Sequence, residues 1–76
     1  MRKPKIITDP KILGGKPIIA GTRISVELVI NLLAAGMSVD GILSEYKELK
    51  KTEILAAISY AAKLVARANG SYATIS

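Results

Sequence analysis

Neither cysteine nor histidine occurs among the 76 residues. The first absence excludes disulfides and thiolate metal sites, and the two together remove the usual general bases, nucleophile pairs and zinc ligands. Six carboxylates remain. Glu45 and Glu48 lie close in sequence, but lysines flank them, so surface ion pairing is their expected role. Gly14-Gly15-Lys16-Pro17 lacks the earlier glycine of a phosphate-binding loop, and Pro17 stands where that loop needs a metal-binding Ser or Thr. A non-enzymatic chain with no cofactor and no metal is expected. Long apolar runs are also missing. Asn31 and Gly36 to Ser38 interrupt the richest region, well short of the roughly 18 residues of a membrane span. The basic start Met1 to Lys5 is followed only by Ile6 and Ile7 before Thr8-Asp9-Pro10, too little for the apolar segment of a secretion signal. The expected location is cytoplasmic.

What is present is apolar mass and located charge. Half of the residues are hydrophobic, whereas a domain of this size buries only about 60% of the surface that its unfolded chain exposes. Part of the apolar surface is therefore expected to meet another chain. The net charge is +5. Arg2, Lys3, Lys5, Lys11, Lys16 and Arg23, against Asp9 alone, account for all of it, because basic and acidic residues balance from Ile24 onward. A basic arm before a neutral helical body suits contact with phosphates, whose neutralisation releases condensed counterions. A solubilising tail is the plainer reading of the same charges.

The organisation predicted is a single domain over 1–76: an extended or β arm over 1–24, a three-helix bundle over 25–70 and a short tail over 71–76. Lys5 to Thr8 and Pro17 to Ala20 are β-branched runs separated by Gly14-Gly15, which suggests two small strands. A two-stranded ribbon is marginal alone, so it should pack on the helices or pair with the ribbon of a second subunit, through Ile18 and Ile19. Ser25 is placed to cap the first helix and Gly36 to end it. Val26, Val29, Ile30 and Leu33 form one apolar face and Leu28, Leu32 and Ala35 a second, leaving only Glu27 and Asn31 polar. Such a helix is central or at an interface. Ser38 caps a second helix with a stripe of Val39, Ile42, Leu43 and Tyr46. Thr52 is expected to cap a third, ending at Gly70, with Ile54, Ile58, Ala61 and Val65 inward and Leu55 and Ala62 beside them.

Helices two and three, separated by five residues, outline a helix-turn-helix. A rival pairing through Gly36-Met37-Ser38 would make Ser38 to Tyr46 the reading helix. The later pair is preferred, because the first helix is too apolar to cross a phosphate backbone. Lys50 and Lys51 precede Thr52 at a helix N-terminus, where the dipole disfavours cations unless an anion binds. A neutral, solvated turn is the alternative, since Glu45, Glu48 and Glu53 balance the lysines. No Arg or Asn capable of bidentate base reading stands on the outer face of helix three, which carries Glu53, Ala56, Ser59, Tyr60 and Lys63.

The run Gly14-Gly15-Lys16-Pro17 through Gly21-Thr22-Arg23-Ile24, with Leu32 to Ser38, Glu45-Tyr46 and Ala56 to Ala62, closely resembles a family of short bacterial and archaeal proteins. That family is catalogued as a domain of unknown function and often labelled VapB-like antitoxins. The resemblance covers about residues 6 to 63. It implies a mainly α, homeodomain-like three-helix fold with an N-terminal extended arm, DNA binding, and a partner toxin of the PIN-like nuclease type. Within the block, Gly21 can hold a positive φ, Thr22 can bond the backbone, and Arg23 can serve either structure or binding. Family members usually place Pro after the tyrosine. Lys47 here opens the way for helix two to extend. Only Ser71 to Ser76 follow helix three, so toxin contact is expected to use the folded body.

Two functions follow as expectations. One is a dimeric DNA-binding antitoxin and autorepressor touching phosphates through Lys16, Arg23, Lys50, Lys51 and Thr52. The other is a dimerisation module that masks a partner protein through Ile18, Ile19, Leu28, Leu32, Leu55 and Ala62 without binding DNA.

Overall fold

The computed structural model describes residues 5–69. Arg2, Lys3, the expected stop at Gly70 and the tail 71–76 lie outside the described residues. The elements are β1 (Ile6–Ile7), β2 (Ile18–Ile19), α1 (Val26–Ala34), α2 (Val39–Glu45) and α3 (Lys51–Asn69), with a short 3-10 turn at Leu13–Gly15. This is a mainly helical bundle with a small N-terminal hairpin, as the spacing predicts.

The strands pair antiparallel with Ile6 opposite Ile19 and Ile7 opposite Ile18. Two two-residue strands would not survive alone. They persist because the other edge of β2 is occupied too: Ile18 bridges to Ser25, Ile19 N–H donates to Ile24 O at 2.9 Å, and Val26 N–H donates to Pro17 O at 3.0 Å. The ribbon packs on the helices, with Ile19 inside the core and Ile6 against it. Between the strands, Asp9 Oδ1 accepts from Lys11 N–H at 2.9 Å, and Leu13, Gly14 and Gly15 all carry positive φ of 51°, 65° and 87°. For the leucine this left-handed conformation costs about 1–2 kcal/mol.

Ser25 and Ser38 cap α1 and α2 as expected, each hydroxyl accepting from the backbone N–H three residues on, at 2.9 Å from Leu28 and 3.0 Å from Gly41. Gly36, at φ 100°, ends α1 in a paired motif: Gly36 N–H donates to Leu33 O at 3.0 Å and Met37 N–H to Leu32 O at 3.1 Å. The two orphan carbonyls are thereby satisfied, and glycine is the residue that tolerates the φ required. α2 stops at Glu45 and does not extend. Tyr46 leaves the helix at φ −116°, ψ 84°, so Lys47 in the proline position does not lengthen it.

The start of α3 corrects the expected cap. The helix begins at Lys51, two residues earlier than Thr52 as a cap would allow. Lys50 holds the capping position, and its N–H donates to Glu53 Oε1 at 2.8 Å. Glu53 thus supplies the acidic half of a capping box in which the hydroxyl half is absent.

The core gathers Ile18, Ile19, Val29, Ile42, Ile54 and Ala57 with Ile24, Val26 and Leu49 around them. Each fully buried Ile or Val contributes about 1.5–3 kcal/mol relative to an exposed side chain. Ile58 and Ala61 are half-buried, as their inward stripe requires, but Val65 is 58% exposed. α3 has 19 residues against 9 for α1, and the expected inward stripe runs out of core before the helix ends. Among the described residues, no helix is long and apolar enough to cross a membrane. Ile42 is wholly buried in the core cluster with Val29 of α1 and Ile54 of α3. Ile42→Ala is therefore expected to lower the unfolding free energy by about 2–4 kcal/mol, read from urea denaturation followed by circular dichroism.

Candidate functional site

The residues expected to touch phosphate divide between two places. Lys50, Lys51 and Thr52 are exposed at the start of α3. Leu49, 6% exposed, sinks into the core immediately before them, and Leu49 N–H closes the turn onto Tyr46 O at 3.0 Å. The buried leucine thereby sets where the turn stands, while its polar neighbours face outward. The Glu53 carboxylate is engaged with the Lys50 amide, so it is directed at the backbone rather than at the lysine ammonium groups.

Lys16 and Arg23 belong to the segment around the hairpin. Lys16 Nζ lies 2.7 Å from Glu27 Oε1, and both side chains are more than half exposed, at 57% and 59%. A pair so exposed is worth at most about 1 kcal/mol and is readily exchanged for another anion. Arg23 is exposed and makes no ion pair among the described residues. Its loop is nevertheless held firmly. Gly21 takes φ 83°, the Thr22 hydroxyl donates to Ile19 O at 2.7 Å, and the same oxygen accepts from Ile24 N–H at 3.0 Å. The two conformational roles expected of Gly21 and Thr22 are thus the ones observed.

The expected interface residues are scattered by the fold. Ile18 and Ile19 are 1% and 0% exposed within the single chain. They are corrected to core residues, because β2 is covered on both edges and its side chains are consumed by the bundle. Leu28 and Leu32 are half-buried against the core. Leu55 and Ala62 are exposed, as are Leu64 and Val65 on the same helix.

Two clefts flank α3. One, of about 260 Å³, runs between α1 and α3 and is lined by Pro17, Val26, Glu27, Ile30, Asn31, Tyr60, Ala61 and Leu64. The other, of about 370 Å³, lies between the start of β1 and the outer face of α3, lined by Lys5, Ile6, Ala56, Ser59, Tyr60 and Lys63. Sequence reasoning placed Lys5 in the basic arm and Lys63 on the outer face of helix three without joining them. Nothing in linear spacing signals that the two, 58 positions apart, line one cleft; only the docking of β1 on α3 brings them to it. Among the described residues, no group of three or more acidic, His or Cys side chains is arranged to hold a metal.

A small three-helix bundle with an N-terminal hairpin and exposed cationic segments defines the class. Residues 6–61 match the family described as "Protein of unknown function (DUF433)", and the chain belongs to that family. A relative is the "Uncharacterized protein y4eO" of Sinorhizobium fredii (strain NBRC 101917 / NGR234), 39% identical over 56 residues. The match takes in 74% of this chain and spans a quarter, 25%, of that protein's length. No solved structure matches.

Thr22→Val preserves shape while removing both hydroxyl hydrogen bonds, leaving Ile24 N–H without its partner. A loss of about 1–2 kcal/mol in unfolding free energy is expected, measured by urea titration against the wild type.

Proposed function

We propose that this chain is a cytoplasmic DNA-binding helix-turn-helix protein, the antitoxin and transcriptional autorepressor of a toxin-antitoxin pair. The observation that carries the DNA reading is the turn between α2 and α3. Leu49 is buried there while Lys50, Lys51 and Thr52 stand exposed at the head of a 19-residue helix. Helix N-termini favour anions through their free N–H groups and dipole, and phosphate contacts of this kind position a helix-turn-helix on duplex DNA. Lys16 and Arg23 add cationic side chains from the hairpin segment. The antitoxin assignment, and a PIN-like nuclease toxin as partner, rest on the likeness of the Gly14 to Ile24 block to VapB-like proteins. In this reading the protein acts as a homodimer, since helix-turn-helix proteins commonly span two half-sites. The half-buried Leu28 and Leu32 and the exposed Leu55 and Ala62 supply apolar surface for that contact or for the toxin.

A second reading, a partner-masking module indifferent to DNA, is favoured by the large apolar side chains left open on α3, with Leu55 at 49% and Val65 at 58% exposure. In the Sinorhizobium relative the matched segment is a minor part of a longer chain, a setting in which such a face would have neighbours.

Fluorescence anisotropy against the chain's own upstream duplex and a scrambled duplex, over a range of salt, separates the two. The expected result is preference for the upstream duplex with affinity falling steeply as salt rises. Charge reversal, Lys50→Glu with Lys51→Glu, is expected to weaken binding at least about tenfold while light scattering shows the oligomeric state unchanged. Absence of binding at low salt would leave the masking module.

A further inference from the structure

We propose that Lys5 and Lys63 form a second phosphate-contact site, about three turns along α3 from Lys50 and Lys51, so that α3 is held on duplex DNA by phosphates at two places along its length. The inference rests on the DNA-binding reading and specifies how the helix would lie. The two lysines come from different elements and line one cleft with Ser59 and Tyr60, and no carboxylate lines it. Lys5 is fixed there by the backbone: its carbonyl accepts from Ala20 N–H at 2.9 Å, and the next residue, Ile6, is paired to Ile19. Two exposed ammonium groups brought to one cleft repel each other, and adjacent backbone phosphates, one bound at each, reverse that cost.

The pattern along α3 supplies the second argument. Thr52, Ala56, Ser59 and Lys63 follow one another at intervals of four, three and four residues, which places them on a single face of a helix. The stripe holds no acidic residue, because Glu53 lies to one side with its carboxylate on the Lys50 amide. Its middle consists of small side chains. With a rise of about 1.5 Å per residue, Thr52 and Lys63 are roughly 16 Å apart along the axis. That exceeds the roughly 12 Å width of the major groove. Phosphates held at these two places along α3 would lie on opposite walls of the groove.

The test uses the full chain and a labelled duplex of about 20 base pairs carrying the upstream sequence, with the salt dependence of binding measured by anisotropy. The slope of log affinity against log salt is expected to become shallower by about 0.9 for Lys63→Gln and by about 1.8 for Lys5→Gln with Lys63→Gln. Lys47→Gln, an exposed lysine away from the cleft, is expected to leave it unchanged. Circular dichroism reports whether each variant keeps the wild-type helix content, and the single Lys63→Gln change serves if the double variant does not. An unchanged slope in folded variants of a protein that does bind DNA overturns the Lys5–Lys63 site and leaves the DNA reading standing. An equal loss in Lys47→Gln also overturns it, by showing general rather than placed charge. Wild-type protein that binds no duplex at low salt overturns both.

Discussion

The fold depends on how β2 is held. Ile19 buries its side chain completely and sits opposite Ile6 of β1. Its N–H reaches Ile24 O, and its carbonyl accepts from both the Thr22 amide and the Thr22 hydroxyl. A two-residue strand thus has protein on both edges and core on its inner side. Without that arrangement a hairpin of four strand residues has too few hydrogen bonds and too little buried area to offset the entropy of ordering it. With it, the segment from Lys5 to Arg23 becomes part of the bundle, and the charged residues of that segment acquire a fixed place.

The cationic residues from Lys5 to Arg23 gain their meaning from that anchoring. A basic arm free of the body would contribute only a diffuse field, screened within about a Debye length. Docked, it sets Lys5 beside Lys63 and Lys16 beside Glu27, and it carries Arg23 on a loop tightened by Thr22. At the other end of α3 the same logic applies on a smaller scale: burial of Leu49 orients the turn, and Glu53 completes the backbone bonding of Lys50. The cationic groups are therefore presented by rigid backbone, although their side chains remain in water. Opposed to this stands the apolar residue of the chain, Leu55, Leu64 and Val65 on α3, which a domain of this size does not bury by itself.

Much of the architecture was legible in local pattern. Serine at positions 25 and 38 followed by helical apolar spacing, and glycine at 36, mark the ends of α1 and the start of α2 because capping is a matter of a few adjacent residues. Positive φ at Gly21 and backbone bonding by Thr22 are likewise local chemistry. The errors fall where a local rule had two solutions or where length was involved. Thr52 is a good capping residue, but Glu53 reaching back to Lys50 starts the helix earlier. Val65 keeps the periodicity of the inward face, but among the described residues no partner helix extends far enough to cover it.

The candidate site divides the same way. Composition alone settles that this chain has no cysteine or histidine to work with, and sequence order alone places its net positive charge before Ile24 and its lysine pair before Thr52. Both are properties of the chain that no fold alters. Whether Ile18 and Ile19 face a partner or the core, and whether Lys5 ever meets Lys63, are decided by contacts between residues far apart in sequence. Periodicity records which face of an element is apolar; it holds no information about which other element will cover that face, or how far along it the cover extends.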